Sequence, residues 1–370
     1  MKIVCQTSDL LTGVNTVLKA VPVRTTMPIL YCVLIDSTTD TIYFTANDTE
    51  LGIKTKVLGQ VEEGGIIAIN AQIFSDIIHK LPQGQVTIES DINDVVKITC
   101  EKALFEINGQ NGVEFVGLPE VSKEHSITLS QFNLKELIRQ TLFATANVET
   151  NKLMTGEYFE IKDGRFKIVA LDGHRIAIRQ TSLEGAFDEG DMIVPGKTLS
   201  EILKILPDDA EKTVSLYFTD NHIAFEFNET FVISRLIEGS YFKIDKMISN
   251  DYTTKIQINR KQFSECLDRS TLLRKSGNDK PIILSISDGN LNLKVSSPLG
   301  KMDEDIEVSK EGKNLVIGFN PDFLIDIMRA VDDEEVTMFF TTPQSPCFIR
   351  DEDARYIYLV LPIAITEGNY

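Results

Sequence analysis

Phe74-Ser75-Asp76-Ile77-Ile78-His79-Lys80-Leu81-Pro82 sets its apolar side chains at i, i+3, i+4 and i+7, the spacing that gathers one face of an amphipathic helix. The pattern returns 125 residues later as Leu199-Ser200-Glu201-Ile202-Leu203-Lys204-Ile205-Leu206-Pro207, and after 125 more as Leu324-Ile325-Asp326-Ile327-Met328-Arg329-Ala330-Val331-Asp332. Strand-like runs flank every copy: residues 66–69, 192–194 and 315–319 before it, residues 86–88, 214–216 and 336–338 after it. A second strand and helix open each unit, with residues 3–5 leading into 8–20, 127–129 into 130–144, and 256–258 into 259–273. Asp163-Gly164 and Asp288-Gly289, each between alternating apolar runs, predict tight hairpins.

A threefold internal repeat at this period dictates the architecture. The expected fold class is α+β: three like domains at 1–125, 126–252 and 253–370, each with two helices on one side and antiparallel sheets on the other. A chain of 370 residues also exceeds what one ordinary core accommodates. The net charge of −18 argues at first against nucleic acid, whose phosphates need cations. Its distribution matters more. The six expected helices together carry +4, which leaves −22 for the rest of the chain. Three such units in an arc would present a mildly basic helical lining and an acidic exterior.

Several function classes drop out. The five cysteines are widely spaced with no CxxC, and the four histidines lack metal-ligand spacing, so neither a metal nor a cofactor is expected. The chain has no phosphate-binding loop of the GxxxxGK[ST] type and no GxSxG nucleophile motif, so no enzyme activity is expected. No apolar stretch approaches a membrane span, and the first residues do not read as a signal peptide; a cytoplasmic protein is expected.

Three short segments carry a resemblance. Leu171-Asp172-Gly173-His174-Arg175-Ile176-Ala177 follows a strand, Tyr358-Leu359-Val360-Leu361-Pro362-Ile363 lies near the C-terminus, and Arg24-Thr25-Thr26-Met27-Pro28-Ile29-Leu30 follows the first helix. With the repeat, they make the whole chain resemble the bacterial β sliding clamps, the processivity factors of DNA polymerase III. The resemblance implies a head-to-tail homodimer forming a six-domain ring, with helices inside around duplex DNA held without sequence preference. It implies a hydrophobic cleft between the second and third domains for short linear peptides of the replicative polymerase, the clamp loader and repair proteins.

Carried onto this sequence, the cleft comprises Leu171, Gly173, His174, Arg175, Ile176, Phe242, Lys246, Met247, Leu359, Val360, Leu361, Pro362 and Ile363. Such a site needs a greasy pocket with a few donors on its rim; Leu171, Ile176, Val360, Leu361 and Pro362 suit the pocket, His174 and Arg175 the rim. Phe242 stands where the family commonly has proline, Lys246 where it has arginine, and Ala364 where it often has a basic residue. Expected DNA contacts are Arg24, Lys80, Arg139, Lys152, Lys197 and Lys204, and the expected dimer contacts are Leu272 and Leu273. The competing expectation is a peptide-binding repeat scaffold that never meets DNA, which the acidic total charge would suit.

Overall fold

The computed structural model describes residues 1–147, 151–185, 187–273 and 281–365; residues 366–370 lie outside them. Six α-helices stand among the described residues: α1 (Thr7–Val17), α2 (Ala71–Lys80), α3 (Gln131–Arg139), α4 (Gly196–Ile205), α5 (Arg260–Thr271) and α6 (Pro321–Ala330). The repeated nonapeptide lies on α2, α4 and α6. Asn70, Asn259 and Asn320 cap α2, α5 and α6, their side-chain oxygens accepting from Ile73 N, Gln262 N and Asp322 N at 3.1, 3.0 and 3.1 Å.

Two expected helices are shorter than their apolar pattern. α1 ends at Val17 and tightens into a 3-10 turn over Leu18–Ala20. α3 ends at Arg139 because the Thr141 hydroxyl bonds back to Leu137 O at 2.7 Å and Ile138 O at 3.3 Å, competing with the helical ladder. The Asp163-Gly164 hairpin forms as expected: Lys162 faces Arg165, and both turn residues have positive φ, 50° and 72°.

The chain divides into two compact units. The first comprises Met1–Phe132, Gly185–Asp188 and Ser200–Leu236. Its five-stranded sheet runs in the order Gly59–Glu63, Lys2–Gln6, Gln85–Ser90, Val95–Cys100, Ala103–Asn108. Its nine-stranded sheet ends in Leu51–Val57, Thr230–Arg235, His222–Phe227, Thr213–Phe218, Ser126–Ser130, every pairing antiparallel. Helix α1 packs on α2 and on Leu51–Val57. Gly13 permits that approach, since a Cβ there would stand 2.5 Å from Val57 Cγ2.

The second unit comprises Asn133–Glu184, Glu189–Leu199 and Ile237–Tyr370. Twelve strands run through it, and its middle order is Arg165–Leu171, Arg175–Ser182, Tyr356–Val360, Cys347–Arg350, Glu335–Phe340. One face of this sheet packs on α5 and α6 through Ala177, Tyr358, Val360, Phe263, Leu267 and Met328. The opposite face carries Val169, Leu171, Ile176, Ile178, Phe348 and Leu359, with Ile244 buried against them.

Each unit therefore contains one strand joint between successive repeats. Thr55 faces Thr230 in the first joint, where their hydroxyls lie 2.7 Å apart, and Arg179 faces Tyr356 in the second. The second joint falls about one repeat period beyond the first in both strands.

Candidate functional site

The expected cleft segments meet at the second joint. Leu171 and Ile176 close a hairpin whose tip is Asp172-Gly173-His174-Arg175. Asp172 builds that tip: its Oδ1 accepts from His174 N at 2.9 Å and Arg175 N at 3.1 Å. Gly173 has φ +89° and is exposed, with no atom within 4 Å of where a Cβ would stand. The turn thus needs glycine for its backbone, and it leaves open space above the tip.

Beside the hairpin, Ile176 faces Leu359 across the joint, and Leu171, Ile176 and Leu359 share the outward apolar face. Tyr241 and Phe242 pack against that face, with Tyr241 stacked on Tyr158 at 5.0 Å between ring centroids. The short 3-10 turn Ile244–Lys246 follows, burying Ile244 while exposing Lys246 and leaving Met247 48% exposed. Leu361 is 40% exposed, and its N–H donates to His174 O at 2.9 Å, which ties the terminal segment to the hairpin tip. The result is an apolar floor (Leu171, Ile176, Leu359) beside accessible apolar groups (Met247, Leu361), with half-buried Phe242 and Pro362 and a polar edge at exposed His174 and Lys246. An extended peptide with apolar anchors suits such a surface.

Three expected cleft residues occupy other surroundings. Val360 is fully buried on the helix side of the sheet, because alternate strand residues face opposite ways and Leu359 takes the outward place. Ile363 bridges to Gly318, with its N–H 2.8 Å from Gly318 O. Arg175 does not offer its guanidinium to a partner. Its Nε reaches Asp172 Oδ2 at 3.0 Å, Nη1 reaches Asp326 Oδ2 at 2.6 Å, and Nη2 reaches Phe143 O at 2.6 Å. The rings of Phe143 and Phe323 lie 5.1 and 4.7 Å from its guanidinium carbon. Arginine's planar fork is here a structural tie.

The remaining expectations divide the same way. Arg24, Lys80 and Lys152 are exposed and form no ion pair among the described residues. Lys197 is exposed at the start of α4. Lys204 pairs with Glu201 of its own helix at 2.7 Å. Arg139 is committed to Glu136 at 2.6 Å and Asp332 at 2.7 Å, so its charge is already neutralised. Leu272 is 76% exposed, whereas Leu273 packs against the core.

Phe143, Phe323, Asp326, Ile244 and Tyr241 are site residues that the sequence reading missed. Phe323-x-x-Asp326 carries a usable signal, an aromatic ring and a carboxylate on one helix face. The other three show only as ordinary apolar positions. Among the described residues no group of His, Cys, Asp and Glu is arranged to hold a metal ion, and no helix is long and apolar enough to cross a membrane.

Comparison with known proteins agrees with this architecture over the whole chain. The DNA polymerase III beta subunit N-terminal, central and C-terminal domains match residues 1–119, 128–243 and 245–364. The chain is 33% identical to the beta sliding clamp of Bacillus subtilis, over 98% of this chain and 99% of that protein. The crystal structure of the DNA polymerase sliding clamp from Bacillus subtilis superposes with a TM-score of 0.95 at 32% identity, covering 99% of this chain and 100% of that one. A putative DNA polymerase III beta subunit from Eubacterium rectale superposes with the same TM-score at 53% identity, covering 98% and 99%. The chain belongs to the DNA polymerase III beta subunit family, the non-catalytic sliding clamps.

Proposed function

We propose that two copies of this chain pair head to tail into a closed ring around duplex DNA. On this reading the surface floored by Leu171, Ile176 and Leu359 tethers the replicative polymerase, the clamp loader and repair proteins through short peptides. The ring comprises six domains, three per chain at 1–125, 126–252 and 253–370, with the helices facing the DNA.

One observation carries the reading: the chain contains two strand joints of one kind and the separated halves of a third. Gly300–Gly312 is to Asn290–Ser297 as Arg175–Ser182 is to Arg165–Leu171, since Lys301 faces Ser296 just as Ile176 faces Leu171, 125 residues earlier in both strands. Ala103–Asn108 follows the two-residue turn Glu101-Lys102 as Thr230–Arg235 follows Asn228-Glu229. Ala103–Asn108 is the last strand of its sheet. Residues 300–307 bond to Asn290–Ser297 on one side alone among the described residues. Open strand edges invite pairing with another chain.

Carrying the register of the two existing joints to this third one sets Met302 opposite Phe105 and Gly300 opposite Ile107 on the core side. On the outer side it sets Lys301 opposite Glu106 and Asp305 opposite Lys102, two pairs of opposite charge that favour this register. Exposed Leu272 stands beside the edge, its neighbour Leu273 reaching within 3.6 Å of the Cβ position of Gly300. Pairing would cover that leucine.

Arg24, Lys80, Lys152 and Lys197 supply phosphate contacts that position the duplex without reading bases. A chain of net charge −18 gains little general affinity for DNA, so retention is topological: the ring leaves by opening or by reaching an end. Tethering then raises the local concentration of the bound polymerase, worth about 10²–10⁴ in avidity. The test is loading onto a nicked circle with the clamp loader and ATP, followed by linearisation. The clamp is expected to stay on the circle and to be lost once the DNA is cut. Undiminished retention on linear DNA would contradict topological binding.

A further inference from the structure

We propose that Asp326 is a positioning residue for the peptide cleft, acting through Arg175; this rests on the cleft reading above. The third position of the repeated nonapeptide is a carboxylate in all three copies: Asp76, Glu201 and Asp326. In the first copy it accepts from Gln72 Nε2 at 3.0 Å, and in the second from Lys204 Nζ at 2.7 Å, both partners on its own helix. In the third copy the carboxylate leaves its helix and takes Arg175 at 2.6 Å, 151 residues away in sequence. It does so at the hairpin that flanks the cleft.

Phe323, one turn earlier on the same face of α6, completes the grip. Its ring stacks on His174 at 5.9 Å between centroids and lies 4.7 Å from the Arg175 guanidinium carbon. Arg175 joins α6 to Asp172 and to Phe143 O, so three elements converge on one guanidinium. The hairpin tip held in this way presents His174 O to Leu361 N. A chain of direct contacts therefore runs from α6 through Arg175 and the tip to Leu361, an accessible apolar group of the cleft. Asp326 sets where the tip and Leu361 stand relative to the floor without touching a peptide.

The experiment uses the full-length dimer and a fluorescein-labelled peptide from the clamp-binding segment of the replicative polymerase, read by anisotropy well below the melting transition. Asp326→Asn keeps the shape and removes the charge. It is expected to raise Kd about tenfold, mainly through faster dissociation, with an unchanged far-ultraviolet spectrum and dimer mass. Asp326→Glu is expected to recover most of the affinity. Leu361→Asp serves as the direct cleft variant. If Leu361→Asp abolishes binding while Asp326→Asn leaves Kd unchanged, the positioning role is overturned and the cleft stands. If Leu361→Asp also leaves Kd unchanged, the cleft reading itself fails. A loss for Asp326→Asn that follows only the fraction unfolded would likewise overturn the proposal. Should Asp326→Asn not fold, Phe323→Leu, expected to weaken the peptide with α6 intact, decides in the same way.

Discussion

Glu157→Gln should gain stability relative to the wild type as pH rises. Glu157 lies on Gly156–Lys162 and is fully buried, and neither carboxyl oxygen has a hydrogen bond among the described residues. The neighbouring Thr141 hydroxyl is committed to Leu137 O. Burial pushes the carboxyl well above its ordinary value of 4.5, so the folded protein holds this proton after the unfolded chain has released it. Below the ordinary value both states are protonated and no penalty arises. As pH rises above it, the unfolded state alone ionises, and stability falls by about 1.4 kcal/mol per pH unit until the folded group titrates.

Glutamine keeps the volume and removes the proton, so its curve lacks this slope. Urea unfolding of both proteins between about pH 4.5 and pH 8 measures the difference directly. The wild type should lose stability relative to the variant as pH rises above the ordinary carboxyl value. A constant difference, or one that shrinks as pH rises, would refute the buried unpaired acid.

Arg175→Lys should destabilise the second unit by about 2–4 kcal/mol, because one ammonium cannot bridge Asp172, Asp326 and Phe143 O together; thermal melting checks this, with exposed Lys246→Ala as the neutral reference. Gly13→Ala should lower stability by about 1–2 kcal/mol, the clash with Val57 outweighing the gain in helix propensity, again by melting. Lys301→Glu should weaken the dimer about two- to tenfold at low salt, Glu106→Lys in the same chain should restore it, and added salt should erase both effects, as read by sedimentation equilibrium.

The repeat was legible because a helix spacing, its flanking strands and its hairpins recurred at one interval, and each is a local property. The hairpin at Asp163-Gly164 was legible for the same reason. Leu171, Ile176 and Leu359, assigned to the cleft through resemblance, share one apolar face of the sheet, but the pattern of residues 359–363 does not say which of them face which way. Val360 therefore fell on the wrong side, where strand alternation buries it. Arg175 and Arg139 show the main limit. A basic residue in sequence carries no record of the carboxylate that neutralises it, here Asp326 from 151 residues away and Asp332 from 193. The charge tally of the helices treated such cations as available. Leu272 and Leu273 read alike in sequence and differ in exposure, because one closes the core and the other ends the helix pointing outward.

The central claim is that residues 300–307 of one copy pair with Ala103–Asn108 of another. Met302→Cys with Phe105→Cys in one chain tests it directly, since the five native cysteines are buried and unlinked. Oxidation should give a dimer joined at both interfaces that survives denaturation, and a control pair moved by one residue, Met302→Cys with Glu106→Cys, should link poorly, because facing side chains in a sheet alternate. A strict monomer at micromolar concentration, or equal linking in both registers, would contradict the account.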